Sequence, residues 1–252
     1  MLRNINYQFE VSDAETTGLM LSVMSQGLGY NSIDTNKIFD QFNISSYEDI
    51  FKYKDVVPDI QKQVDKYKNE LEIKCEQLQK KWNENKKEFL TKLAESLDIE
   101  FEENITYWTY CYLQLLPVNE INIETNAIYL DGSKSVDEIF QTFLVMTAKA
   151  FLVDRWRNFN PCGFLFDYDS KNDTWLFAEL AIDAIFTNSG LGEYNKNPSY
   201  KYFYNLNLDH QNILKMFREL HKKIPLKEFF NTVYMFVHDN SKCLLSFKNY
   251  LY

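Results

Sequence analysis

The chain has 252 residues, 45% of them hydrophobic and 16% aromatic, enough to bury a large core and to form one or two domains. A formal charge of −9 and a pI near 5.0 argue against the basic surface that phosphate binding needs, so neither nucleic acid nor membrane is expected as a partner. Cys75, Cys111, Cys162 and Cys243 are scattered, with no CxxC pair and no metal-knuckle spacing, as suits free thiols in a reducing compartment.

The opening stretch MLRNINYQFEVSDAE has no apolar h-region, and nowhere do eighteen apolar residues run together, so a cytoplasmic protein is expected. Within it, Ile5, Tyr7, Phe9 and Val11 alternate with polar residues, the period of a half-buried strand. Ser12 to Glu15, SDAE, has the capping-box pattern and predicts a helix that runs toward Gly27. Shorter helical pieces follow near Thr35 to Phe42 and Ser46 to Tyr53. Pro58 then opens the longest helical pattern, with Ile60, Val64, Tyr67, Leu71, Cys75, Leu78 and Trp82 in one stripe. A break or bend is expected around Asn83 to Asn85, after which Phe89, Leu93 and Leu97 resume the pattern.

ITYWTYCYLQLLP, ending at Pro117, is rich in aromatic and β-branched residues and predicts a strand; AIYLDG, Ala127 to Gly132, predicts a shorter one. Ser135 to about Trp156 reads as helix, and Asn158 to Asn172 as a loop with a brief extended FLFDYD piece. A helix from about Asp173 to Asn188 comes next, then the loop NSGLGEYNKNPSY. Two more helices complete the chain, Asp209 to Lys223 and, after Pro225, Leu226 to His238. The expectation is a helix-dominated α+β fold with a small mixed sheet and a long helix in the N-terminal half. No Gly/Ser-rich linker divides it, so 1–252 is expected as a single domain, with 1–85 mostly helical and 86–252 holding the core and the C-terminal helices.

WLFAELAIDAIF, Trp175 to Phe186, is apolar at ten of twelve positions, and the exceptions are Glu179 and Asp183. Four residues apart on a helix, the two carboxylates share a face and repel each other. A helix apolar all round is normally buried, and a buried carboxylate needs a cation, hydrogen bonds or a proton. The histidines, His210, His221 and His238, lie on helical patterns of the C-terminal quarter that read as solvent-facing, and the four dispersed cysteines make no zinc site.

The order of strand, strand AIYLD, helix VDEIFQTFLVMTAKAFLVDRW, loop and helix WLFAELAIDAIF resembles the core of zincin-type metallopeptidases of the gluzincin kind, over roughly residues 86 to 190. In that family one helix carries HExxH and a following helix carries a glutamate within ExxxD. By this resemblance Glu179 would complete a metal site and Asp183 would orient a metal-bound histidine. The first motif departs from the pattern: HExxH falls on Gln141, Thr142, Phe143, Leu144 and Val145, so both ligands and the base are replaced. Gln141 is a poor ligand, Thr142 cannot act as base, and Val145 has no donor atom.

The resemblance therefore implies a pseudo-metallopeptidase with no catalytic residue, no metal and no cofactor. Gln141, Thr142, Val145, Glu179 and Asp183 would be the remnant of its pocket, and a peptide or protein its partner. Gln141, Thr142, Arg155 and Arg157 are candidate partners for Glu179 in place of a metal, although the arginines also suit the negative end of their own helix. Two other readings stay open. One is an active hydrolase with a rearranged site, using Glu179 and a histidine from the C-terminal helices. The other is a helical interaction or regulatory module working through the 58–97 helix. Oligomeric state is not legible in the sequence.

Overall fold

The computed structural model describes residues 5–25, 40, 42, 53–100, 107–116, 119–122, 127–159, 171–194 and 210–246. The two short helices expected between Thr35 and Tyr53 lie almost wholly outside these residues, and so does the extended piece expected within 158–172. The chain forms two compact units, a sheet-bearing one of residues 4–84 and 106–143 and a helical one of residues 1–3, 85–105 and 144–252.

In the sheet unit, β1 (Ile5–Val11), β2 (Tyr107–Gln114) and β4 (Ala127–Asp131) run parallel, and β3 (Glu120–Asn122) pairs antiparallel with β4, giving the order β1-β2-β4-β3. Among the described strands only β3 was not anticipated; three residues are too few for an alternating pattern to register. Period-two alternation sends Ile5, Tyr7, Phe9, Cys111, Leu113, Ile128 and Leu130 into the core. Tyr7, Trp82 and Phe143 meet there edge to face, with ring centroids 4.8 to 5.3 Å apart. A second cluster gathers Ala14, Leu21, Phe42, Ile60, Val64 and Leu116.

α1 (Ala14–Ser25) is capped one residue later than SDAE suggests. The Asp13 carboxylate accepts from the Thr16 amide at 2.6 Å, while the Ser12 amide is spent on the Leu113 carbonyl as β1 ends. Gly132 closes the turn after β4: its amide donates to the Gln114 carbonyl at 2.8 Å, and a Cβ there would stand 2.6 Å from Leu71 and 2.9 Å from that carbonyl oxygen.

α2 (Tyr53–Leu97) begins before Pro58 and passes unbroken through Asn83 to Asn85, where a break was expected. Asparagine costs a helix under about 1 kcal/mol, and the buried Leu78, Trp82, Phe89 and Leu93 on either side hold the segment helical. The helix stops in a Schellman geometry, with Asp98 at φ +49°, the Ile99 amide on the Ala94 carbonyl and the Asp98 amide on that of Glu95.

α3 (Val136–Phe159) starts in a true capping box: Ser135 donates to the Glu138 carboxylate, whose own amide donates to the Ser135 hydroxyl. The hydrogen bonds from Ser135 hold the Glu138 carboxyl below its usual pKa. α4 (Lys171–Asn188), a 3-10 turn (Gly192–Tyr194), α5 (His210–His221) and α6 (Leu226–Ser246) follow, the last running eight residues beyond the expected His238. Trp156, Phe177, Phe230 and Tyr234 form the aromatic centre of the helical unit, with Trp156 4.7 Å from Phe177 and 4.6 Å from Tyr234. The architecture is a helix-dominated α+β fold with a small mixed sheet and one very long helix. Among the described residues no helix is long and apolar enough to cross a membrane.

Candidate functional site

From Phe177 to Phe186 every residue of α4 is buried, including Glu179 at 4% and Asp183 at 3% exposure. A helix apolar on all sides sits among other helices, and its carboxylates are not the exposed edge of an amphipathic helix. Each has a cation. The Lys149 ammonium of α3, itself 7% exposed, donates to Glu179 Oε1 in an ion pair. One turn further on, Arg218 of α5 grips Asp183 with both arms of its guanidinium, Nε to Oδ2 at 2.7 Å and Nη2 to Oδ1 at 2.8 Å.

The ExxxD spacing therefore places two carboxylates on one face of α4 and ties each to a different helix. Residue by residue the pairs differ. Lys149 and Glu179 are sealed together, whereas a third of the Arg218 side chain reaches solvent. The C-terminus of α4 adds a third tie: Asn188 Nδ2 donates to the Arg218 carbonyl at 2.8 Å and lies 3.0 Å from His221 Nδ1. Burial lowers the pKa of His221, and its ring packs 4.9 Å from Phe229.

Val145 lies on α3 one turn before Lys149, half-buried in the same unit. Gln141 and Thr142 are half-buried on the part of α3 that belongs to the sheet unit, and the Thr142 hydroxyl donates to the Glu138 carbonyl at 2.9 Å within its own helix. Arg155, a candidate partner for Glu179, instead donates to the Leu97 carbonyl at 3.1 Å and the Asp98 carboxylate at 2.7 Å, capping the end of α2. Tyr194, one of the aromatics after α4, packs 5.7 Å from Phe89, and Tyr200, Tyr202, Phe203 and Tyr204 lie outside the described residues. His238 sits 3.5 Å from Asp173 and stacks on Tyr234; the side chain of His210 is outside the described residues.

Lys149 is the residue that sequence reasoning missed. Between Ile139 and Val153 it is the one charged side chain in an otherwise apolar and neutral run, the mirror of Glu179 and Asp183 in WLFAELAIDAIF. A lone base on one buried helix and a lone acid on the next are the pattern that could have found the pair.

The donors facing Glu179 do not fit a zinc ion. The lysine ammonium that meets Glu179 offers N–H groups and no lone pair. Among the described residues no group of three or more His, Cys, Asp and Glu side chains could hold a metal. Comparison with protein-family models, with curated proteins and with solved structures finds no match to this chain.

Proposed function

We propose that the chain is a zincin-like protein in which an internal ion pair has taken the place of the metal, and that it acts by binding a peptide or protein rather than by hydrolysis. The observation that carries this reading is the Lys149 ammonium seated against Glu179. The order of elements that suggested the resemblance, β2, β4, α3 and α4, supports it. Lysine neutralises the carboxylate but cannot act as a Lewis acid or lower the pKa of a bound water, the two services a catalytic zinc provides.

A rearranged hydrolase has less support. Glu179 is engaged by Lys149, His221 by Asn188 and Phe229, and His238 by Asp173. So does a module acting through the long helix, because Ile60, Val64, Leu71, Cys75, Leu78, Trp82, Phe89, Leu93 and Leu97 are buried in the protein's own core. The test is elemental analysis of protein purified without chelator, paired with turnover of a quenched fluorogenic peptide library in added zinc. No bound metal and no turnover are expected. Stoichiometric zinc that disappears in Glu179→Gln would overturn the proposal.

A further inference from the structure

Parallel strands are ordinarily covered on both faces, but one face of this sheet carries a tyrosine row that runs from Tyr129, packed against the cluster around Leu116, out to the exposed Tyr110. Tyr110 and Tyr112 are alternate residues of β2, and Tyr129 of β4 is the register partner of Tyr112. Their rings stack in sequence, 6.0 Å apart at 13° and 5.4 Å apart at 22°. Tyr110 is 41% exposed and the other two are half-buried. Glu10 of β1 is the register partner of Tyr112 on the other side, its carboxylate held by Gln8 Nε2 at 2.6 Å. Exposed Asp13 follows at the end of the strand.

Among the described residues, the carboxylates that act on this row are those of Glu10 and Asp13. The Tyr112 hydroxyl is pushed up by burial first and then by Glu10, Tyr129, Tyr110 and Asp13, every one acting against added negative charge. A ring face with carboxylates beside it suits a cation, and a planar one best, since guanidinium stacks on the ring while its N–H groups pair with the carboxylate. Tyrosine and arginine are also the residues that interfaces concentrate. Single-stranded nucleic acid stacks on such rows too, but Glu10 and Asp13 repel its phosphates.

We propose that the Tyr110, Tyr112 and Tyr129 row, flanked by Glu10 and Asp13, is a docking surface for an arginine-bearing segment of a partner protein. This goes beyond the reading built on Glu179 and stands whether or not that one does. The probe is a fluorescein-labelled peptide of alternating Arg and Gly, titrated by fluorescence anisotropy against Lys-Gly and Glu-Gly peptides of the same length and against labelled oligo-uridylate. The Arg peptide should bind most tightly, the Lys peptide more weakly, and the other two not at all.

Tyr110→Ala and Glu10→Gln should each weaken binding about tenfold, the loss of one partly desolvated cation–π contact or ion pair. Tyr110 is exposed, so its replacement leaves the fold intact, which circular dichroism verifies. Glu219→Gln removes the same charge from the helical unit and should change binding less than about twofold, as a surface charge away from a contact does. The proposal is overturned if the Arg peptide does not bind, if Glu219→Gln weakens it as much as Glu10→Gln, if Tyr110→Ala has no effect, or if oligo-uridylate binds more tightly.

Discussion

Lys149→Met removes the ammonium from Glu179 while keeping an unbranched apolar side chain only one heavy atom shorter. In the native protein the Lys149 and Glu179 side chains are 8% and 5% exposed, so the pair belongs to the buried class and not to the surface class worth about 0–1 kcal/mol. Leaving the carboxylate uncompensated in that environment should cost about 3–5 kcal/mol, a large share of the ~5–15 kcal/mol that holds an ordinary domain together. The double variant Lys149→Met/Glu179→Leu removes both charges and fills the space with apolar atoms. It should recover most of the loss and can exceed the native protein by roughly 1–4 kcal/mol. Urea unfolding followed by circular dichroism and by tryptophan fluorescence supplies the four corners of the cycle. The reasoning is refuted if Lys149→Met costs less than about 1 kcal/mol, the value for a solvated pair, or if the double variant is as unstable as the sum of the two single ones.

The Asp183 pair should respond unevenly, because its carboxylate is buried and its guanidinium is partly in water: Arg218→Ala should cost about 2–4 kcal/mol and Asp183→Asn nearer 1, measured by the same unfolding curves. Burial pushes the Cys75 thiol up to about 12 and Cys111 well above its ordinary value, so iodoacetamide at mildly alkaline pH should leave both unmodified in the folded protein and label both in urea, as mapped by peptide mass spectrometry. The lowered pKa of His221 means that the unfolded chain takes up its proton first as pH falls. Stability should therefore decline below pH ~6.5, the unperturbed histidine value, and His221→Asn should flatten that decline; an unchanged slope in the variant would place the titrating group elsewhere.

What could be read from the sequence was whatever repeats locally. The alternation Ile5, Tyr7, Phe9 announced β1, and the stripe from Ile60 to Trp82 announced the buried side of α2. The same logic failed where tertiary packing outweighs local preference. Two asparagines argued for a break that buried neighbours suppress, and Ser12 looked like a cap because nothing local shows that its amide belongs to the sheet. The acid pair at Glu179 and Asp183 was conspicuous, and burial there called for a cation, hydrogen bonds or a proton; the structure supplies cations. The identities of those two cations were not legible from α4 alone, because Lys149 lies thirty residues before Glu179 and Arg218 thirty-five after Asp183. Arg155 was the nearer guess by composition, yet the Leu97 carbonyl and the Asp98 carboxylate at the end of α2 claim it.

The two ion pairs also bear on what kind of protein this is. A catalytic metal site works because one coordination position is left for water or substrate, so the cation is shared between the protein and its ligand. Here α4 is buried along ten consecutive residues, and Lys149 spends its charge on a carboxylate that is only 4% exposed. Such a pair contributes little net stability against an apolar alternative, but it disfavours any packing that separates its members, which fixes how α4 lies on α3. Asp183 and Arg218 do the same between α4 and α5. On this reading the carboxylates are devoted to the register of three helices. If the chain works by binding, accessible side chains must serve it, and the tyrosine row beside Glu10 combines an exposed ring, stacked aromatic faces and the carboxylates of Glu10 and Asp13. Eliminating Lys149 should therefore impair folding without altering the affinity of an arginine peptide for the molecules that remain folded, whereas eliminating Tyr110 should do the reverse.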